Sequence, residues 1–191
     1  MKTKDDSHIL VKRFQNGDPT AFNLLVERWQ DKIHRFVYRY LPDNDEANEI
    51  TQKTFIKAYQ RMDTLDEAGK FSPWIYKVAN NLCLDELKRA GRKRSVPLDL
   101  KRIEKVSNTT PATDFENKEL AELLNRALLQ LPDEQRSVVI LKQYEGLTFR
   151  EIAEILEVPE NTVKSRMYYG LKAMRNRLMN WNIQTDYLNH E

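Results

Sequence analysis

Apolar side chains recur at intervals of three and four along most of the sequence, and no stretch alternates with the period of two that a half-buried strand needs. That rhythm limits the chain to helices packed on helices. The clearest run is Phe22, Leu25, Val26, Trp29, Ile33, Phe36, Val37 and Tyr40, opened by Asp18-Pro19 and closed by Leu41-Pro42. A capping aspartate followed by a first-turn proline marks a helix start. A second helix is predicted from about Asp45 to Met62, with Ala47, Thr51, Thr54, Phe55, Ala58 and Met62 inward. Asp63 to Lys70 reads as a loop. Ser72-Pro73 predicts a third helix with Ser72 as its cap, lasting to about Ala90-Gly91 and burying Ile75, Val78, Ala79 and Leu82.

Periodicity fails from Arg92 to Thr113, where Pro, Ser, Thr and Asn accumulate as in an extended linker. It resumes with Leu120, Leu123, Leu124, Ala127, Leu128 and Leu131 and stops at Pro132. Asp133 is placed to cap a further helix ending near Gly146. The expected architecture is all-α: two small helical domains, 1–92 and 115–181, joined by a flexible linker of 93–114 and followed by a tail of 182–191.

Composition narrows the function classes. With 40% hydrophobic and 31% charged residues, the chain has material for real cores, and no run approaches the roughly 18 apolar residues of a membrane span. The basic N-terminus lacks an apolar signal core, so a cytoplasmic location without membrane insertion is expected. The single Cys83 cannot form an internal disulfide, and His8, His34 and His190 show no ligand spacing, so no metal and no cofactor are implied. There is no phosphate-binding glycine loop and no nucleophile motif, hence no enzyme and no small-molecule substrate.

Net charge is only +2, but its distribution is informative. Asp43, Asp45, Glu46 and Glu49 make an acidic start to the second helix. Lys88, Arg89, Arg92, Lys93 and Arg94 end the third. Lys164, Arg166, Lys172, Arg175 and Arg177 lie along the last helical stretch against the single acid Glu160. One acidic and two basic patches point to two kinds of partner, one of them nucleic acid.

Gly146 to Ala153 is the sharpest local signal. Thr148 and Glu151 have the spacing of a capping box, and Leu147 and Ile152 that of a hydrophobic staple. The helix they start carries Ile152, Ala153, Ile155 and Leu156, turns at Glu157-Val158, and gives way to another at Pro159. A short helix, a tight turn and a longer basic helix make a helix-turn-helix, whose second helix enters the major groove. At roughly 100° per residue, Val163, Met167, Leu171, Met174 and Leu178 fall on one face that must be buried. Thr162, Ser165, Tyr168, Tyr169, Lys172 and Asn176 fall opposite, flanked by Lys164 and Arg166. These side chains suit phosphates and base edges, though a basic helix face can also be merely solvated. In the third helix Trp74, Lys77, Asn81 and Lys88 share a face. An exposed aromatic beside bases and an amide suits unpaired DNA, while an inward Trp74 with solvated bases is equally compatible.

Three blocks in fixed order then identify a resemblance: Asp45 to Tyr59, Phe71 to Leu82, and Leu131-Pro132 through Leu178 with Thr162-Val163-Lys164-Ser165-Arg166. Nearly the whole chain resembles extracytoplasmic-function (ECF) sigma factors of the sigma-70 family. The resemblance implies that the two domains are sigma region 2 and sigma region 4, and that the chain directs core RNA polymerase to promoter DNA. It implies that Asp45, Glu46, Glu49, Gln52 and Phe55 grip the coiled coil of the polymerase β′ clamp. Trp74, Lys77, Asn81 and Lys88, with the loop Thr64–Ser72, would capture a flipped base of the −10 element. Thr162, Lys164, Ser165, Arg166, Tyr168, Tyr169 and Lys172 would read the −35 element. The polymerase β flap and an anti-sigma factor are further implied partners, and Ser95–Thr113 would enter the polymerase cleft. The chain departs from the family's pattern at Asn48 and Lys53, where acids are usual, and at Glu160-Asn161 before Thr162, where a small or Gly-containing pair is common. The competing possibility is a stand-alone helix-turn-helix regulator that binds a palindromic duplex without polymerase. Cys83, on a packed helix, is expected to be structural rather than redox-sensing.

Overall fold

The computed structural model describes residues 6–93 and 113–181, and among them every regular element is helical. The predicted linker, apart from its ends, and the tail after Trp181 lie outside the described residues. So does Arg94 of the first basic run. The elements are α1 (Ser7–Gln15), α2 (Thr20–Tyr38), α3 (Asn44–Arg61), α4 (Phe71–Lys93), α5 (Thr113–Leu129), α6 (Asp133–Val139), α7 (Phe149–Leu156) and α8 (Glu160–Asn180). They divide into two compact units, the first built on α1 to α4 and the second on α5, α6 and α8, with α7 leading into α8.

In the first unit α1 packs on α2, α2 on α3 and α3 on α4. Gly17, at φ +91, turns the chain from α1 into α2, a backbone that glycine adopts without steric cost. Asp18 then fixes the start of α2: Oδ1 accepts the Thr20 N–H at 3.0 Å, and Arg13 pairs with Oδ2. Donation from Thr20 and then from Arg13 holds the Asp18 carboxyl below its ordinary pKa. The cap of α3 is Asp43, whose Oδ1 accepts from the backbone N–H groups of Asp45 and Glu46, each at 3.0 Å. The expected loop after Met62 holds two 3-10 turns, Met62–Thr64 and Ala68–Lys70. The second feeds directly into α4, so Ser72 lies inside the first turn and is not the cap. Pro73 remains harmless, because first-turn N–H groups have no intrahelical acceptor.

The predicted stripe of α2 is the spine of this core. Trp29 is 2% exposed, its ring 5.5 Å from Phe71 and 5.8 Å from Tyr76; Phe36 lies 5.2 Å from Tyr76 and 5.3 Å from Tyr40. Its polar tips are satisfied. Trp29 Nε1–H donates to Ser7 Oγ at 2.9 Å, and Tyr40 O–H donates to Asn80 Oδ1 at 2.7 Å. Val26 and Val78 are only half-buried, whereas Tyr76 and Cys83 join the core. Burial pushes the Cys83 thiol pKa up, away from the reactive thiolate. Native protein is therefore expected to take up iodoacetamide at Cys83 about a hundredfold more slowly than unfolded chain, checked by mass spectrometry with and without denaturant. Equal rates would mean that α4 opens readily.

In the second unit α5 and α6 both pack on α8. Asp133 is the first residue of α6 rather than its cap, and its carboxylate pairs with Arg136 at 3.2 Å. The helix expected to reach Gly146 instead widens into a π-turn at Ile140–Tyr144. Val138, Val139, Ile140 and Leu141 are all buried, so no single 3.6-residue stripe describes this segment. Buried Arg136 donates through Nη2 to the Leu129 and Leu131 carbonyls, each at 3.1 Å, satisfying the free end of α5. The buried face of α8 is Val163, Met167, Gly170, Met174 and Leu178. Leu171, predicted inward, is 42% exposed. The stripe runs through Gly170 instead, where a Cβ would stand 3.0 Å from Val139 Cγ2.

Candidate nucleic-acid and protein interfaces

The capping box forms as its spacing predicts. Thr148 N–H donates to Glu151 Oε2 at 2.7 Å, and Glu151 N–H donates to Thr148 Oγ1 at 3.2 Å. Leu147 and Ile152 are buried. Glu157 takes φ +55, a left-handed conformation that is uncommon outside glycine, and this closes the tight turn before Pro159.

The opposite side of α8 is open. Tyr168 is 62% and Tyr169 57% exposed, their rings edge to face at 5.4 Å, with Ser165 and Lys172 exposed beside them. Lys164 is exposed but pairs with Glu160 at 2.7 Å and lies 5.9 Å from the Phe149 ring. Thr162 and Arg166 are half-buried, and Arg166 pairs with Glu134 at 2.6 Å. Arg166 thus helps seat α8 on α6. Tyr168, Tyr169 and Lys172 are the outermost candidates for a groove, and Glu160 sets an acid at its entrance.

On α4, Asn81 and Lys88 are exposed and Lys77 partly so. Trp74 is half-buried, its ring 6.0 Å from that of buried Phe71, so it rests on the core without being enclosed by it. The adjacent Asn80 is spent on Tyr40, which leaves Asn81 as the outward amide.

On α3, Asp45, Glu46, Glu49 and Gln52 are exposed, but Phe55 is 8% exposed and belongs to the core. Phe55 therefore leaves the candidate surface, since its inward phase and a surface role exclude each other. Ile56 and Tyr59 take its place, each about half exposed, so Asp45, Glu49, Gln52, Ile56 and Tyr59 run down one side at helical spacing. The steps of four, three, four and three from Asp45 lead to them, whereas Phe55 enters only through the family resemblance. Lys53 pairs with Glu49 and holds its carboxyl below the ordinary pKa, with a smaller contribution from Arg89. Arg89 grips Glu86 through Nε and Nη2 at 3.1 and 2.8 Å. Among the described residues, no group of three or more His, Cys, Asp or Glu side chains is placed to hold a metal, and no helix is long and apolar enough to cross a membrane.

Two helical units, one ending in a helix-turn-helix with an aromatic and basic outer face, have the build of a DNA-directed factor. The sigma-70 region 2 family model matches residues 25–93 and the sigma-70 region 4 model residues 121–174. The ECF RNA polymerase sigma factor SigW of Bacillus subtilis (strain 168) is 33% identical over 176 residues, 88% of this chain and 94% of that protein. The ECF RNA polymerase sigma-E factor of Escherichia coli (strain K12) is 34% identical over 181 residues, 89% of this chain and 93% of its own. The fold matches that of CnrH in complex with the cytosolic domain of CnrY, with a TM-score of 0.68 and 19% identity over 92% of this chain and 99% of that one. It also matches the sigma factor RpoE bound to the anti-sigma factor NepR from Bartonella quintana, with a TM-score of 0.65 and 19% identity over 83% of this chain and 96% of that one. The chain belongs to the ECF sigma factors of the sigma-70 family. It is a transcription initiation factor, not a stand-alone regulator.

Proposed function

We propose that this chain docks on core RNA polymerase through α3 and places two DNA-reading faces on one promoter, as a non-catalytic cytoplasmic subunit. Residues 1–92 would serve as sigma region 2, 115–181 as region 4, and 93–114 as the connection between them. The observation that carries this is the outer face of α8, where Tyr168, Tyr169 and Lys172 stand exposed directly opposite the buried Val163, Met167, Gly170, Met174 and Leu178. Such a helix can enter a major groove while its back stays packed. Lys172 and Lys164 would neutralise phosphates, Tyr168 and Tyr169 would contact bases or backbone, and Arg166 would hold the helix on α6 as well as face the −35 element. Thr162 and Ser165 complete that set. On α4, Trp74 offers a ring for an unpaired base, with Lys77, Asn81 and Lys88 along the same side, for the −10 element. The exposed acids and apolar side chains of α3 suit the β′ clamp, and the β flap would receive region 4. An anti-sigma factor that covers these faces would hold the protein inactive.

The test is run-off transcription on genomic DNA with sigma-free core polymerase, with and without this protein. New discrete starts sharing upstream elements near −35 and −10 are expected; no new starts would refute the proposal. Lys172→Ala is expected to lower the slope of promoter affinity against salt by about one counterion, measured by titration across a salt series. An unchanged slope would take α8 off the DNA.

Lys53 bears on the polymerase face. Its ammonium occupies Glu49, so a partner arginine must displace it, and exposed pairs of this kind are weak. Lys53→Glu is expected to tighten binding to core polymerase about fivefold to tenfold and to steepen its salt dependence, read by anisotropy titration of labelled protein. Weaker or unchanged binding would remove α3 as the docking face.

A further inference from the structure

The segment before Asp18 lies outside the matched region 2 span, yet it touches the loop between α3 and α4. Gln15, the last residue of α1, is half-buried, and its Nε2 donates to two main-chain carbonyls, Met62 O at 3.0 Å and Leu65 O at 2.9 Å. Both hydrogens of one carboxamide are thereby used, across 47 and 50 residues of sequence. The bonded carbonyls bracket the 3-10 turn Met62–Thr64, which starts the loop between α3 and α4.

The rest of α1 reinforces the contact. It packs on both 3-10 turns, and the Phe14 ring lies 5.3 Å from Tyr59, one turn before Met62. Phe22 closes the triangle, 5.8 Å from Phe14 and 5.0 Å from Tyr59. Met62, Leu65 and Ala68 point inward, while Thr64, Asp66, Glu67, Gly69 and Lys70 are exposed. A loop of this length is held in one shape only where its backbone polar groups have fixed partners. Here α1 supplies them from behind, leaving the outer side free.

The geometry points to α1, through Gln15, as the brace that shapes the −10-reading loop: Gln15 is a positioning residue for base selection, although it cannot itself reach DNA. The inference rests on the proposed −10 role of the first unit and on the part in it that the family resemblance implies for the Thr64–Ser72 loop. Without the two bonds the loop samples several backbone arrangements, and a base pocket formed by only one of them loses its preference. Duplex contact by α8 does not pass through this brace.

The test uses holoenzyme reconstituted from core polymerase and the full chain, on a promoter library with the −10 positions randomised and transcripts counted by sequencing. Gln15→Glu keeps the side chain's size but replaces the donor with an acceptor facing two carbonyl oxygens; Gln15→Ala removes it. Both are expected to flatten the −10 base preference about fivefold to tenfold. In a matching −35 library the preference should stay as in the native protein. Trp29→Phe, which gives up the Ser7 bond at the other end of α1, supplies a variant of comparable stability loss and is expected to keep the −10 preference. Asp66→Ala and Lys70→Ala probe the loop directly. If those two change the −10 preference while Gln15→Glu and Gln15→Ala do not, the brace is refuted and the loop's role stands. If none of the four changes it, the loop does not read the −10 element and the inference falls with that reading.

Discussion

Trp29→Ala is expected to unfold the first unit of the native chain under ordinary growth conditions while the second remains folded. The indole is 2% exposed and lies within 6 Å, centre to centre, of the Phe71 and Tyr76 rings, so it joins α2 to the start of α4. Its N–H is also the partner of Ser7 on α1. Truncation leaves a cavity under three helices and takes the indole partner from a buried hydroxyl, at a cost of about 3–5 kcal/mol. Domains this small hold only about 5 kcal/mol in reserve, so the loss is close to the whole. Hydrogen exchange read by mass spectrometry separates the two units: amides of α2 and α4 should exchange as in unfolded chain, with α6 and α8 still protected. Initiation should be lost through region 2. Protection of α2 equal to that of the native protein would show that the aromatic cluster does not hold the unit together.

Much of this arrangement is legible in the sequence, because long amphipathic helices carry their own phase. The α2 stripe apart from Val26, the inward residues predicted for α3 and the capping box of α7 fall where period and cap chemistry put them. What escaped depends on partners far away in sequence. The nine residues of α1 are too few to show a convincing stripe, and they are held by Trp29, Tyr59 and two distant carbonyls. Arg136 looks like a solvated base, yet it closes the end of α5, because the carbonyls that attract it are created by Pro132 stopping that helix. Ser72 has the composition of a cap, but the 3-10 turn before it has already started the helix. On α3 the family resemblance implies a surface role for Phe55, whereas helical phase puts Phe55 inside and Ile56 outside. The site residues divide in the same way. Exposed Tyr168, Tyr169 and Lys172 follow from the wheel, while the pairing of Arg166 with Glu134 and of Lys53 with Glu49 needs the fold.

Gly170→Leu should destabilise the second unit and with it the proposed −35 face. The wheel favoured Leu171 as the buried residue, but α8 meets α6 at Gly170, and a lone Cβ there would lie 3.0 Å from Val139 Cγ2, 3.5 Å from Gln135 Cβ and 3.7 Å from Leu131 Cδ1. Two effects oppose each other. Alanine improves on glycine in a helix by about 0.8–1 kcal/mol, and leucine by nearly as much. Leucine's three further carbons must also enter a core where Val138, Val139 and Ile140 are all at most 2% exposed, and overpacking costs about 1–3 kcal/mol or more. The clash wins for leucine. For Gly170→Ala the two nearly cancel, because Val139 need give way by only a few tenths of an ångström. A thermal series of native, Ala and Leu proteins should therefore show little change and then a clear fall in the midpoint assigned to α6 and α8. Duplex binding should fall in the same order, because Tyr168, Tyr169 and Lys172 ride on the helix that is pushed away. A leucine variant that melts with the native protein would mean that α8 can slide on α6 at no cost, and that the outer face of α8 is not held in a fixed position for DNA.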